Sequence, residues 1–178
     1  MKKKVCLLLT TLVMTFCMAV LVYGDDYCNE YGKNKNVGWL KVSGVDFNDV
    51  DETRTLTGVT YSPVTNTLTL NNCNITVGVE VEFIDYMGDI PLNIVIKGNN
   101  TITGREENAS YWPTFMNCGS YTEGKDSSVY VSGGGTLTLN KVYRITENHI
   151  LEESKNSTTS IKNVTINAIG GGFYSHRG

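Results

Sequence analysis

The chain has 178 residues, with 15 Lys and Arg against 18 Asp and Glu and a formal net charge of −3, so it offers no cationic surface for a polyanion such as nucleic acid. The length suffices for one domain with a real hydrophobic core. Beyond the first 24 residues no apolar run is long enough to cross a bilayer.

In chain order, Lys2, Lys3 and Lys4 form a short positive segment. Residues 5–22 are an apolar run interrupted only by Thr10, Thr11 and Thr15, and Val22-Tyr23-Gly24 precedes the polar Asp25-Asp26. That order predicts a secretory signal peptide over residues 1–24, cleaved after Gly24, with an uncleaved membrane anchor as the competing reading. Phe16 before Cys17 does not suit a lipid-modified cysteine. Cleavage removes three lysines, so residues 25–178 carry 12 basic and 18 acidic side chains. Three cysteines remain, Cys28, Cys73 and Cys118. Export permits a disulfide, but the odd count leaves at least one thiol over, and the spacing matches no zinc site.

Residues 37–45 read as one or two short strands, with Trp39 a candidate cover for the end of a stacked core. Asp46, Asn48, Asp49, Asp51 and Glu52 form the densest oxygen cluster. Calcium needs six to eight oxygens, and this run has Val50 where a ligand belongs and no turn glycine, so a solvated loop is expected there.

The remainder is rich in strand formers and holds no 3.6-residue apolar period. A strand–turn–strand text recurs instead. Leu68-Thr69-Leu70 leads through Asn71-Asn72-Cys73-Asn74 to Ile75, and Ile94-Val95-Ile96 through Lys97-Gly98-Asn99-Asn100-Thr101 to Ile102. Val129-Tyr130-Val131 leads through Ser132-Gly133-Gly134-Gly135-Thr136 to Leu137, and Val164-Thr165-Ile166-Asn167-Ala168-Ile169-Gly170 is a degenerate fourth copy. Leu70, Ile96, Val131 and Ile166, separated by 26, 35 and 35 residues, are expected to stack into one inner ladder. Glycine and asparagine supply the positive φ of the corners, and corner asparagines can hydrogen-bond along the stack. The fold class expected is all-β, a parallel β-helix formed as one domain over residues 25–178. The alternative is an antiparallel β-sandwich, which does not require the same text at each step. Residues 104–119 and 143–155 are read as loop insertions on one side. The closing stretch, Gly170 to Gly178, ends the stack with an aromatic tail or leaves it to associate end to end.

Gly44-Val45-Asp46, Tyr61-Ser62-Pro63-Val64-Thr65-Asn66-Thr67-Leu68-Thr69-Leu70-Asn71-Asn72, Ile94-Val95-Ile96-Lys97-Gly98-Asn99-Asn100-Thr101-Ile102 and Gly134-Gly135-Thr136-Leu137-Thr138-Leu139 occur in that order. Over residues 37–169 this resembles the clostridial-type carbohydrate-binding domain family of secreted bacterial β-helix proteins, adhesins for cellulose- and pectin-like glycans. The resemblance implies a single-stranded right-handed β-helix, a secreted or cell-surface location, polysaccharide adhesion without catalysis, and calcium near the loops. Calcium rests on the resemblance alone; no metal ligand and no other cofactor is assigned.

Catalytic patterns are missing from the strands. No repeat contributes a carboxylate pair for glycoside hydrolysis, and His149 and His176 lack partners at a recognisable spacing. The sequons at Asn74, Asn99, Asn108, Asn156 and Asn163 follow from Asn/Thr-rich turns and carry meaning only in a eukaryotic host. Aromatic residues are the better lead. If Val129 and Val131 point inward, Tyr130 points outward, where a flat ring can stack on a sugar. Tyr111, Trp112 and Phe115 cluster in the larger insertion as a second candidate platform, although rings in loops usually fold back onto a core. The expected function is exported, non-catalytic binding of polysaccharide, a cellulose-, pectin- or envelope-type glycan. A structural or protein-binding surface protein and a degenerate polysaccharide lyase are the alternatives.

Overall fold

The computed structural model describes residues 33–49, 55–77, 82–104, 114–120, 122, 125–142, 144–148 and 158–169, the stretch 144–148 as backbone alone. Residues 1–24, expected to be a signal peptide, and Cys28, Tyr111, Trp112, both histidines and the glycine-rich closing segment lie outside these residues.

Among the described residues fourteen strands follow one another: β1 (Val37–Val42), β2 (Val45–Asp46), β3 (Val59–Ser62), β4 (Thr67–Asn71), β5 (Asn74–Thr76), β6 (Glu82–Gly88), β7 (Leu92–Lys97), β8 (Asn99–Thr103), β9 (Thr114–Gly119), β10 (Ser128–Gly133), β11 (Thr136–Asn140), β12 (Arg144–Asn148), β13 (Thr158–Ile161) and β14 (Thr165–Ile169). They form three sheets, ordered β12-β9-β6-β1-β2, β13-β10-β7-β4-β3 and β14-β11-β8-β5, here called the first, second and third. From β4 onward, each pass of the chain adds one strand to the second sheet, then one to the third, then one to the first. Strands of successive passes pair in parallel. The antiparallel pairs are β1 with β2, β1 with β6 and β3 with β4, all at the end where the chain enters. The first two sheets are therefore mixed and the third is parallel throughout. All three contribute to one buried cluster that includes Leu40, Val42, Leu68, Ile84, Ile94, Ile102, Val131 and Leu139. A sheet edge and a two-strand unit cannot bury such a row alone, so the passes stabilise one another.

Two sequence expectations need correction. The first concerns register. Leu70 does pair with Ile96, but the partner of Ile96 is Gly133, not Val131. The real inner row is Leu68, Ile94, Val131 and Ile161, while Ile166 belongs to the third sheet opposite Leu137. Alternation hides such an error, because sliding a strand by two residues keeps every side chain on its own face. Position 133 is glycine for a steric reason: its φ is 132°, and a Cβ there would collide with the Ile96 carbonyl oxygen. Gly98 is similar, with φ 61° and Asn72 Oδ1 occupying the space that a Cβ would need.

The second correction concerns the insertions. Residues 104–119 and 143–155 are not loops throughout, since they hold β9 and β12, and the stretch around Glu82 opens β6. These strands lack the period-2 signal. Thr114 through Gly119 are all buried, so nothing alternates. Burial on both sides of a strand erases the pattern that announces strands.

Asparagine ties the passes together, but through backbone groups rather than amide to amide. Asn100 is 1% exposed. Its Oδ1 accepts the Cys73 N–H (3.1 Å), and its Nδ2 donates to the carbonyls of Lys97 (2.9 Å) and Thr136 (3.2 Å), groups in three consecutive passes. Asn72, with φ 54°, accepts the Asn99 N–H through Oδ1 at 2.9 Å. Asn66 accepts the Tyr61 hydroxyl and donates to Tyr86 Oη and the Pro91 carbonyl, locking the β3–β4 turn onto the core.

Candidate functional site

The outer face of the second sheet carries the residue singled out by alternation. Val129 and Val131 are 1% and 3% exposed, and Tyr130 between them is 43% exposed. In register with Tyr130 are Asn93 on β7, Thr67 on β4 and Ser160 on β13. The next row outward is Thr69, Val95 and Ser132. The ring thus lies among short polar side chains that leave it accessible and can hydrogen-bond a hydroxylated ligand beside it.

The proposed second platform is not assembled from the residues described. Tyr111 and Trp112 lie outside them. Phe115 is in β9, 2% exposed, its ring stacked on Phe83 at 5.7 Å between centroids and 17° between planes. Packing claims that ring, so Phe115 is a core residue and not a surface contact. By alternation Phe83 and Phe115 share a side of the first sheet with Asp85 and Asn117, opposite Ile84 and Tyr86.

The same side of the first sheet holds a constellation that no motif in the sequence announces. Leu40 and Val42 are fully buried, which turns Trp39 and Lys41 outward. Trp39 therefore does not plug the end of the core; it is 36% exposed. Its indole N–H donates to Asp85 Oδ2 at 2.8 Å, across 46 residues of sequence. Asp85 Oδ1 accepts from Asn117 Nδ2 at 3.1 Å. Asn117 is 7% exposed, and its own Oδ1 is buried without a hydrogen-bond partner. Pairing aligns Asp46, Lys41, Asp85, Asn117 and Glu147 in one row across five strands. The available sequence signal is modest: Trp39 and Lys41 alternate with Leu40 and Val42, and an acid stands inside the apolar strand Glu82–Gly88.

The third sheet is chemically uniform. Its outward rows are Asn74–Thr101–Thr138–Asn167, Thr76–Thr103–Asn140–Ile169 and Asn99–Thr136–Thr165. None of these positions is charged or aromatic.

Other reactive groups are committed to the framework. The described part of the acidic run is tied up: Asp46 accepts the Asn48 N–H (2.9 Å), Asn48 exchanges hydrogen bonds with Asn34, and Asp49 pairs with Lys33 at 2.8 Å. Among the described residues no group of three His, Cys, Asp or Glu could hold a metal ion. Asp89 clasps the segment that follows β9, accepting from Ser120 Oγ at 2.7 Å and from both the N–H and hydroxyl of Thr122. Burial pushes its carboxyl up, but the hydrogen bonds from Thr122 and Ser120 and the charge of Lys125 outweigh this and hold it below its ordinary 3.8. Cys73 and Cys118 are buried free thiols. Burial pushes Cys73 up to about 11, a backbone hydrogen bond acting against it. Burial, with the negative Asp85 nearby, raises Cys118 well above the ordinary range. Both stay protonated at neutral pH and are poor nucleophiles.

Comparison of the chain with protein-family models, with curated proteins and with solved structures finds no match to any of them.

Proposed function

We propose that this is an exported, non-catalytic polysaccharide-binding protein, in which the three sheets wrap one core as a right-handed parallel β-helix closed at its entry by the antiparallel strands β1 to β3. The observation that carries the reading is Tyr130, an accessible ring set in register with Asn93, Thr67 and Ser160 on an extended sheet face. Sugars present an apolar face bordered by hydroxyls, and a ring among short polar groups complements both. The resemblance to the clostridial-type carbohydrate-binding domains points the same way. Among the described residues, burial keeps Cys73 and Cys118 protonated, which suits the non-catalytic reading.

The test is affinity electrophoresis of residues 25–178 in gels containing soluble glycans. Ring stacking is worth roughly 1–3 kcal/mol per ring in the nucleic-acid analogue, and about 1.4 kcal/mol is a decade of affinity. Tyr130→Ala, if it melts like the parent, should bind about ten-fold more weakly. A parent that no glycan retards would overturn the reading in favour of a structural surface protein. The uniform Thr/Asn face of the third sheet is the observation that favours this second reading.

A further inference from the structure

We infer that Trp39 and Asp85 form a second carbohydrate contact, on the first sheet, which takes a neutral sugar residue and acts independently of Tyr130. The inference rests on the polysaccharide-binding reading and adds to it a site, a sugar class and a valency. Trp39 and Tyr130 are the exposed aromatic residues among those described, and they stand on different sheets. The Trp39 ring is already oriented. Its N–H is held by Asp85 at 2.8 Å, and Asp85 is held by Asn117 at 3.1 Å, so little side-chain freedom remains to be lost when a ligand arrives. Each Asp85 oxygen has taken one donor and keeps a second lone pair for a sugar hydroxyl. Lys41, in register with Asp85 and exposed, supplies a donor beside that acceptor. A ring bordered by one acceptor and one donor is the complement of a pyranose face with adjacent hydroxyls. Beside Asp85 on the next strand, the Oδ1 of Asn117 is buried without a hydrogen-bond partner, polar capacity that the framework does not use.

Charge selects the sugar. Among the described side chains of the row through the site, Asp46 and Asp85 stand against Lys41 alone. The chain beyond the leader is itself acidic, with 18 Asp and Glu against 12 Lys and Arg. A uronate polymer would bring carboxylates toward carboxylates, whereas a neutral hexose polymer meets no such repulsion.

The experiment uses residues 25–178, with hydroxyethylcellulose as the neutral probe and polygalacturonate as the anionic one. The neutral glycan should retard the parent and polygalacturonate should not. Trp39→Ala should weaken retardation about ten-fold, Trp39→Phe should keep most of it, and Trp39→Ala with Tyr130→Ala should lose about the product of the two single effects. A second readout avoids dependence on folding of the alanine variant. Trp112→Phe leaves Trp39 as the remaining tryptophan, and its emission should change on titration with hydroxyethylcellulose. Parent-like retardation of Trp39→Ala together with unchanged Trp39 emission would overturn the site while leaving the Tyr130 reading intact. Retardation by polygalacturonate rather than the neutral glycan would overturn the sugar class. A parent retarded by neither probe, nor by any other glycan, would remove the underlying reading instead.

Discussion

The first and third sheets of this protein are built by opposite rules. On the third sheet the inner positions are small or branched apolar residues, such as Ile75, Ile102, Leu139 and Ala168, apart from the buried Asn100 opposite Leu137. Its outer rows are Thr and Asn at ten of eleven positions, Ile169 being the exception. On the first sheet, β6 and β9 bury residues on both sides, and the outer face carries the exposed Trp39 and Lys41 beside the half-buried Asp85. Strands with identical outer rows hold register and pair with their neighbours through β-branched side chains. Recognition needs the opposite, a place where the repeat is broken and different functional groups meet. The difference places framework on the third sheet and chemical individuality on the first.

The contrast can be broken at several points. The largest effect is expected from Phe115→Ala, which empties a stacked ring position at 2% exposure and should cost about 3–5 kcal/mol in urea unfolding. A cost below about 1 kcal/mol would mean that this side of the first sheet is ordinary surface. Asn100→Ala should come next. It leaves the Cys73 N–H without its acceptor and takes a donor from two carbonyls, of which that of Lys97 keeps the Asn72 N–H, at about 1–3 kcal/mol for a buried group left unsatisfied.

Asp89→Asn should separate the two regions by pH. Because the folded carboxyl titrates below its ordinary value, the clasp adds stability above that value and loses it as the pH falls through the lower, folded one. Melting temperatures followed from neutral pH downward should show that acid-side loss in the parent, and the asparagine variant should lack this contribution. Equal acid sensitivity in both would assign the loss to other carboxylates. The smallest effect is expected from Thr138→Ala on the outer face of the third sheet, within about 0.5 kcal/mol. A larger cost would show that the threonine rows contribute to stability beyond their register.

The same contrast explains what can be read from the residues alone. Strands β4, β7, β8, β10 and β11 are legible because one side is mainly apolar and the other mainly polar, so the alternation survives in the text. Tyr130 emerges by the same logic. The ladder expected from the text slips by two residues between Ile96 and Val131, an offset to which alternation is blind and which only the steric demand at Gly133 resolves. In the first sheet only β1 and β2 are legible, within the strands read over residues 37–45, and β6, β9 and β12 are not. Where Thr114 through Gly119 are buried throughout, no polar residue marks the second face, and the stretch reads as a loop. With β6 and β9 unassigned, Trp39, Asp85 and Asn117 have no common surface on which to be placed. Their proximity is a product of pairing, across separations of 46 and 32 residues.

The three-way bonding of Asn100 has a consequence for how the molecule comes apart. Stacked-repeat proteins can lose their units one at a time, because each unit contacts only its neighbours. A side chain that serves the pass before it, its own pass and the pass after it works against such stepwise loss. Withdrawing either neighbour strands part of a buried amide, so the passes around Asn100 share the penalty. Hydrogen exchange should accordingly find the amides of β5, β8 and β11 opening as a single cooperative block, and Asn100→Ala should divide that block into units that open separately.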